Sequence, residues 1–356
     1  MPKKKKKDKK AETTSRKGEH VSIVTTENVS FRSVPSGFDT LRFEHNALPE
    51  LSFDEIDTST QFLGKHLDAP LLISSMTGGY EGAEAVNRAF AKAAKRFGLA
   101  IGIGSARQAL ENKKYHKTFS VVRKEYPEGL VFTNIGGAEV AALHAKNKLD
   151  DILRIVDLVE ADAIIVHLNP LQEMMQPEGS RDFRGILGGI EALCKQFTIP
   201  VIVKEVGAGI SKSAARTLVT HGVLAIDIAG AGGTSWAGVE LLRQDEAKRS
   251  DLDIFWDWGI PTVEALQAVR ELKQSMTFGL IASGGIRTGL DVAKSIALGA
   301  DLVGLAQPVI KAFVDTGEEG LFALMQTVLK QLRIAMLLSG SKTIPHLGDQ
   351  ILFPVK

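Results

Sequence analysis

Eight short, almost unbroken aliphatic runs recur along the chain, and few architectures can bury that many. They are LLISSMT from Leu71, LAIGIGS from Leu99, VFTNIG from Val131, AIIVHLN from Ala163, PVIVKEV from Pro200, LAIDIAG from Leu224, GLIASGG from Gly279 and LVGLAQ from Leu302. Runs apolar at nearly every position predict strands covered on both faces, as in a parallel sheet. Between them lie amphipathic stretches such as GAEAVNRAFAKAAKRFG, whose apolar residues fall at helical spacing. Successive runs mostly start about 23 to 37 residues apart, the size of one βα unit. The sixth interval is longer and holds WAGVELLRQDEAKRS and FWDWGIPT. Eight such units predict an α/β fold of the (β/α)8 TIM barrel type. An open doubly wound sheet gives the same local pattern, but polar residues at the strand ends favour the barrel. Thr77, Ser105, Asn134, Asn169, Lys204 and Gly285 all fall at or near C-terminal strand ends, which a barrel gathers on one face and an open sheet spreads along an edge.

Composition narrows the class. Among 356 residues, 44% are hydrophobic and 24% charged, which excludes collagen-like, disulfide-dense and wholly disordered chains. The single Cys194 excludes an intrachain disulfide or a cysteine-rich metal site, and its setting in GGIEALCKQF predicts a core thiol. No stretch approaches the ~20 consecutive apolar residues of a spanning helix. The expectation is a cytoplasmic protein with neither a membrane nor a nucleic-acid partner. The net charge of +1 conceals seven Lys and one Asp in residues 1–10, which leaves the rest of the chain mildly acidic. A self-repelling run with nothing to bury predicts a disordered tail. The expected organisation is a Lys-rich tail over 1–15, an N-terminal extension with a substrate-binding segment over 16–70, and the barrel over 71–356.

Four clusters bear on chemistry. IASGGIRTGLDVAKSIALGADLVGLAQ places glycines at the mouth of strand seven and a helix start after strand eight. Exposed backbone N–H groups and a helix N-terminus can hold a phosphate there, with Arg287 adding a charged contact. Lys204 lies inside an apolar run, where an unpartnered ammonium is costly. Glu205 follows it but points to the opposite face, so the expected partner is an electron-rich ligand inside the barrel, a flavin or a phosphate. In HLNPLQE, His167 and Asn169 share a strand face, and Pro170 ends the strand and leaves Gln172 and Glu173 on a loop. One carboxylate holds Mg²⁺ only if substrate oxygens and water complete the octahedron. RKGEH gathers Arg16, Lys17 and His20, a set that suits a polyanion or merely a solvated surface. GSARQAL adds Ser105 and Arg107, whose i,i+2 spacing can aim both at one ligand. No G-x-S-x-G element is present, and GAGGT at Gly230 to Thr234 lacks the dinucleotide spacing.

Taken in order, RKGEH, SSMTGG, GIGSARQAL, TNIGG, HLNPLQE, VIVKEVGAGIS, DIAGAGGTSWAGVE, FWDWGIPT and ASGGIRTG resemble the type 2, FMN-dependent isopentenyl diphosphate isomerases. The resemblance runs from about Arg16 to the C-terminus and leaves the Lys-rich extension unexplained. It implies interconversion of isopentenyl and dimethylallyl diphosphate with reduced FMN and Mg²⁺, NADPH serving to reduce the flavin, in a homo-oligomer. By motif, Ser75, Met76, Thr77, Ser105, Asn134, Lys204 and Thr234 would contact the flavin. Gly285, Ile286, Arg287, Ala306 and Gln307 would hold its phosphate. Arg16, Lys17, His20, Ser105, Arg107, His167, Asn169 and Gln172 would surround the small diphosphate substrate, and Glu173 would bind Mg²⁺. Gln172 and Lys204 would carry the catalytic roles. Trp236, in the loop after strand six, either walls the pocket for the C5 tail or packs. The alternatives are an FMN-dependent 2-hydroxy acid oxidase, which needs a His base beside an Arg late in the barrel, and a non-catalytic phosphate-binding barrel. Deleting residues 1–10 should leave turnover intact, whereas Arg16→Ala should raise KM by removing a charge from a desolvated diphosphate. Steady-state kinetics showing harm from the deletion alone would place the basic function in the wrong segment.

Overall fold

The computed structural model describes residues 16–245, 249 and 251–355; the Lys-rich run lies outside the described residues. The eight aliphatic runs form eight parallel strands: β1 (Leu71–Ile73), β2 (Ala100–Gly102), β3 (Val131–Gly136), β4 (Ala163–His167), β5 (Val201–Lys204), β6 (Ala225–Asp227), β7 (Gly279–Ala282) and β8 (Leu302–Leu305). They close in sequence order, β8 pairing with β1 through Val303↔Leu71, Gly304↔Leu72 and Leu305↔Ile73. Helices follow every strand, so the architecture is a (β/α)8 TIM barrel.

The strand period of two divides the apolar residues between two cores. Leu71, Ile73, Ile101, Val131, Ile164, Val166, Val201, Val203, Ile226, Leu280 and Val303 belong to the core between the strands and the helices. Their neighbours Leu72, Ala100, Phe132, Ala163, Ile165, Ile202, Ala225, Ile281 and Leu302 point inward and fill the barrel. A two-stranded hairpin, Thr60–Phe62 with Lys65–Leu67, adds Phe62 and Leu67 to the inner cluster. Phe62 meets Phe132 edge to face with ring centroids 6.5 Å apart. The hairpin therefore plugs the N-terminal end of the barrel. Asp162 supports it from outside, accepting from Lys65 Nζ at 2.6 Å and from Arg123 Nη2 at 2.9 Å.

One helix departs from expectation. Gln307–Leu338 runs for 32 residues, and one 18-residue window has a mean hydropathy of 1.4, long and apolar enough to cross a membrane. Lys330 and Arg333 interrupt its apolar residues, so it meets that mark by length and mean composition and not as an unbroken apolar run. Its buried residues Leu321, Met325, Val328, Leu332 and Ala335 follow one another three or four apart, and Met336 lies four after Leu332, the spacing of a single stripe. That stripe packs on the helix Gly289–Ala297, whose Gly289 N donates to Gln331 Oε1 at 2.8 Å. A kink at Gly317 (φ 70°, ψ −156°) lets the first turns stay on β8 while the rest turns along the barrel.

The inner cluster predicts where stability resides. Phe132→Ala should cost about 3–5 kcal/mol, the usual loss for a buried phenylalanine, because the plug leaves little room for collapse. Chemical denaturation should show this loss with flavin binding retained; a loss below about 1 kcal/mol would mean that the floor repacks freely.

Candidate active site

Extending the inward register by one more step of two reaches Ser74, Gly102, Asn134, His167, Lys204, Asp227, Ser283 and Gly304. Above an apolar floor, the barrel thus presents a layer of polar side chains and two glycines. Six of these eight positions, all but Gly102 and Asp227, line one deep cavity at the C-terminal mouth. Gly102 and Gly304 flank β1 on either side, and a Cβ on them would run into Ser75 Oγ and Ser74 Oγ respectively. The Ser74 and Ser75 hydroxyls are buried without a partner. A shelf of bare backbone beside two unsatisfied hydroxyls suits a flat, polar-edged ring.

Every residue proposed from the sequence lies on this cavity, Trp236 included. Lys204 Nζ donates to Glu205 O at 2.6 Å and stands 3.9 Å from Asp227 Oδ2. The Glu205 carboxylate turns away and accepts from the N–H groups of Val206, Gly207 and Ala208 at 2.6, 2.8 and 2.6 Å. Burial pushes the Asp227 carboxyl up, against the pull of Lys204 and of the Ser283 hydroxyl. Asn134 Oδ1 accepts from His167 Nδ1 at 2.8 Å. Burial, with Lys204, Lys17 and Arg107 nearby, pulls that imidazole down to about 4 despite Glu139, so it is neutral at pH 7.

Glycine loops shape the far wall. Gly284 (φ 99°) and Gly285 (φ 71°) adopt the left-handed conformation that favours glycine, and a Cβ on Gly284 would strike Gly230. The helix Gly289–Ala297 that follows is closed by a capping box, Thr288 with Asp291. The helix Gln307–Leu338 is not; Ala306 caps it without a side-chain bond, and its first residues face the cavity. Of the two helix starts, the one after β8 is open to an anion. Arg287 Nη1 bonds only its neighbour Ile286 O, at 3.1 Å.

The RKGEH segment lies on a helix, residues 16–26, and not on a solvated surface. Lys17 Nζ donates to Gly78 O at 2.6 Å and Ser105 O at 2.9 Å. Burial and the charges of Arg107 and Arg16 lower its pKa to about 7. Arg107 is paired with Glu139. His20 Nε2 lies 2.9 Å from Glu240 Oε1, and its ring meets Trp236 edge to face at 5.2 Å. Trp236 is the first residue of a helix, Trp236–Leu242, which corrects its placement in a loop.

Pro170 also does more than end β4. It opens the helix Pro170–Met175, so Gln172 and Glu173 sit on a first helical turn and not on a loop. Asn169 Nδ2 donates to Gln172 Oε1 at 3.1 Å and to Glu173 Oε1 at 3.2 Å. Gln172 Nε2 donates to Glu240 Oε1 at 2.9 Å. Burial alone would raise the Glu240 carboxyl, but bonds from His20, Gln172 and Arg243 hold it at about 2. Among the described residues no three His, Cys, Asp or Glu side chains are grouped to hold a metal. Glu173 fits Mg²⁺ only as the single protein carboxylate beside ligand oxygens. Cys194 lies away from the cavity lining, half-buried against the outer core and not within it, and burial pushes its thiol up to about 11.

Sequence reasoning missed Glu139, Asp227, Glu240 and Ser283, all of them on or behind the cavity wall. The inward register flags Asp227 and Ser283; nothing local in GGAEV or WAGVE singles out Glu139 or Glu240.

The comparisons with known proteins agree with this geometry. The family model for FMN-dependent dehydrogenases matches residues 10–119 and 172–354. An isopentenyl-diphosphate delta-isomerase of Nostoc sp. is 46% identical over 338 residues, 95% of each chain. That of Chlorobaculum parvum is 47% identical over 347 residues, covering 94% of this chain and 95% of its own. Among solved structures, a mandelate oxidase variant with (S)-mandelic acid superposes with a TM-score of 0.66 at 18% identity over 95% of each chain. A flavocytochrome b2 variant with pyruvate bound gives 0.68 at 18% identity, over 94% of this chain and 82% of that one. At such identities these two share the fold alone. A closed barrel with a ring-shaped shelf and a glycine-lined anion site, matched by that family model, is an FMN-dependent flavoenzyme. Within that class, the chain belongs to the isopentenyl-diphosphate delta-isomerases.

The buried Lys17 predicts a proton effect. With its pKa near 7 in the free protein, the amine is largely uncharged at pH 8, and a bound polyanion raises it. Inorganic pyrophosphate should therefore bind with proton uptake at pH 8 and little at pH 6, where the amine is already charged. Calorimetry in buffers of different ionisation enthalpy measures this, and Lys17→Gln should abolish it. Equal uptake by the variant would assign the proton elsewhere.

Proposed function

We propose that the protein interconverts isopentenyl and dimethylallyl diphosphate, holding FMN on the barrel shelf and the substrate beneath helix 16–26. The observation that carries this reading is the crowding of Lys17 against Arg107 and Arg16. Lys17 itself has only the carbonyls of Gly78 and Ser105 as hydrogen-bond acceptors, and a diphosphate would supply the negative charge it lacks.

In this reading Ser75, Met76, Thr77, Ser105, Asn134, Lys204 and Thr234 hold the flavin ring. Gly285, Ile286, Arg287, Ala306 and Gln307 hold its phosphate. Arg16, Lys17, His20, Ser105, Arg107, His167, Asn169 and Gln172 bind the substrate, with Glu173 placing Mg²⁺ against its phosphate oxygens. When bound in its reduced form, FMN supplies proton exchange beside the C5 tail. The chain's own residues orient and exclude. Gln172 is a poor acid, and its amide is locked by Asn169 and Glu240, so it fixes the tail over the ring. Lys204 stabilises negative charge at the ring edge. Trp236 and helix 16–26 keep water from the reacting carbons. Double-bond migration leaves the oxidation level unchanged, so NADPH serves only to reduce the flavin initially. The same reading makes the enzyme a cytoplasmic homo-oligomer.

A 2-hydroxy acid oxidase would need a histidine base near the late strands. The cavity holds only His20 and His167, one on the N-terminal helix and one on β4. The decisive test is anaerobic turnover of isopentenyl diphosphate with FMN, Mg²⁺ and limiting NADPH. Many products per nicotinamide are expected, and one NADPH consumed per product would make the enzyme a reductase. Glu173→Gln should keep the flavin and lose most Mg²⁺-dependent activity, because an amide lacks the charge; an unchanged Mg²⁺ titration would remove Glu173 from the metal site.

A further inference from the structure

Asp227 is the one carboxylate in the polar inner layer, and none of the roles above uses it. It ends β6 in register with Lys204 on β5 and is fully buried. Its Oδ1 accepts from Ser283 Oγ at 2.5 Å and from Ala229 N at 3.3 Å. Its Oδ2 has no hydrogen-bond partner and stands 3.9 Å from Lys204 Nζ. Lys204 in turn spends one N–H on Glu205 O, which leaves two of its three donors for other partners. The ammonium thus lies between a carboxylate behind it and the cavity in front.

We propose that Asp227 is a positioning residue that sets how much of the Lys204 charge a bound flavin feels, and thereby its reduction potential. This rests on the reading that Lys204 contacts the flavin. In a dry interior, charges a few ångströms apart interact far more strongly than in water. A carboxylate at 3.9 Å therefore draws much of the ammonium's field away from the cavity. Without it, the full positive charge faces the ring and favours whichever form is more negative, the reduced one. Ser283 fixes the direction of the carboxylate by holding Oδ1, so that Oδ2 is the oxygen aimed at Lys204. The compensated lysine would leave the ring more electron-rich than an uncompensated one.

The experiment measures the two-electron potential of FMN on the loaded full chain, by dye-coupled reduction, with melting temperature and FMN affinity as controls. Asp227→Asn should move the potential to more positive values by at least a tenfold preference for the reduced form, about 30 mV for a two-electron couple. Lys204→Gln should move it the other way, and the electroneutral double variant should return close to the starting value. A purely structural role for Asp227 would not produce opposed shifts that cancel. If Asp227→Asn does not fold, Asp227→Ser carries the same test, since its hydroxyl needs less space and can still bond Ser283. If Lys204→Gln shifts the potential and the Asp227 variant does not, the proposal is overturned and the Lys204 reading survives. If neither moves it, the flavin does not sit against Lys204 and both fall.

Discussion

A lysine inside a barrel is a constraint that much of the site must satisfy. An ammonium removed from water is costly unless acceptors are already in place, and β5 ends where they are. The Glu205 carboxylate gathers three consecutive N–H groups and so fixes the turn after β5. That turn directs the Glu205 carbonyl at Lys204, while β6 brings Asp227 alongside. The neighbouring inward positions then divide into two kinds. Asn134, His167 and Ser283 carry polar groups, and Gly102 and Gly304 carry none, leaving the shelf open over an inner core that is apolar throughout.

The mouth is organised by a different problem, the sharing of its carboxylates among its cations. Arg107 is paired with Glu139, and Arg243 with Glu240, Glu178 and Glu19. Glu240 binds His20 and Gln172 on the same carboxylate oxygen, which ties helix 16–26 and helix Pro170–Met175 to helix Trp236–Leu242. Lys17 alone is left with two backbone carbonyls. Carbonyl dipoles tolerate an ammonium less well than a carboxylate does, and its lowered pKa follows. A diphosphate bound there, as proposed, would supply the charge that the carbonyls do not.

Much of this was legible because strands covered on both faces leave a simple trace, and all eight runs became strands at their expected places. The site residues were legible where a polar side chain interrupted an apolar run, as Lys204 does. Three kinds of information were not. Pro170 reads equally as the end of a strand and as the first residue of a helix, and only the fold chose the second. Asp227 sits in LAIDIAG, where a run of aliphatic neighbours hides it until the inward register is counted from Ala225. Glu139 and Glu240 lie in helical segments whose local pattern is ordinary, and their roles come from partners 32 to 220 residues away in sequence, Arg107 and His20. The 32-residue helix was missed because its charges, Lys330 and Arg333 among them, break the apolar run without lowering its mean hydropathy enough.

Floor and mouth belong to different parts of the chain, and this separation bears on how one barrel serves different reactions. The shelf is built from strand ends, where a one-residue slip would turn every inward side chain outward, so it changes only with the fold. The proposed substrate wall comes from helix 16–26, from the first turn after Pro170 and from the helix begun by Trp236, none of which is needed to close the barrel. The same superfold can therefore keep a flavin shelf and exchange the wall above it. A shape shared with a mandelate oxidase variant at 18% identity then says little about the substrate. A buried lysine held by two carbonyls beside two arginines says more.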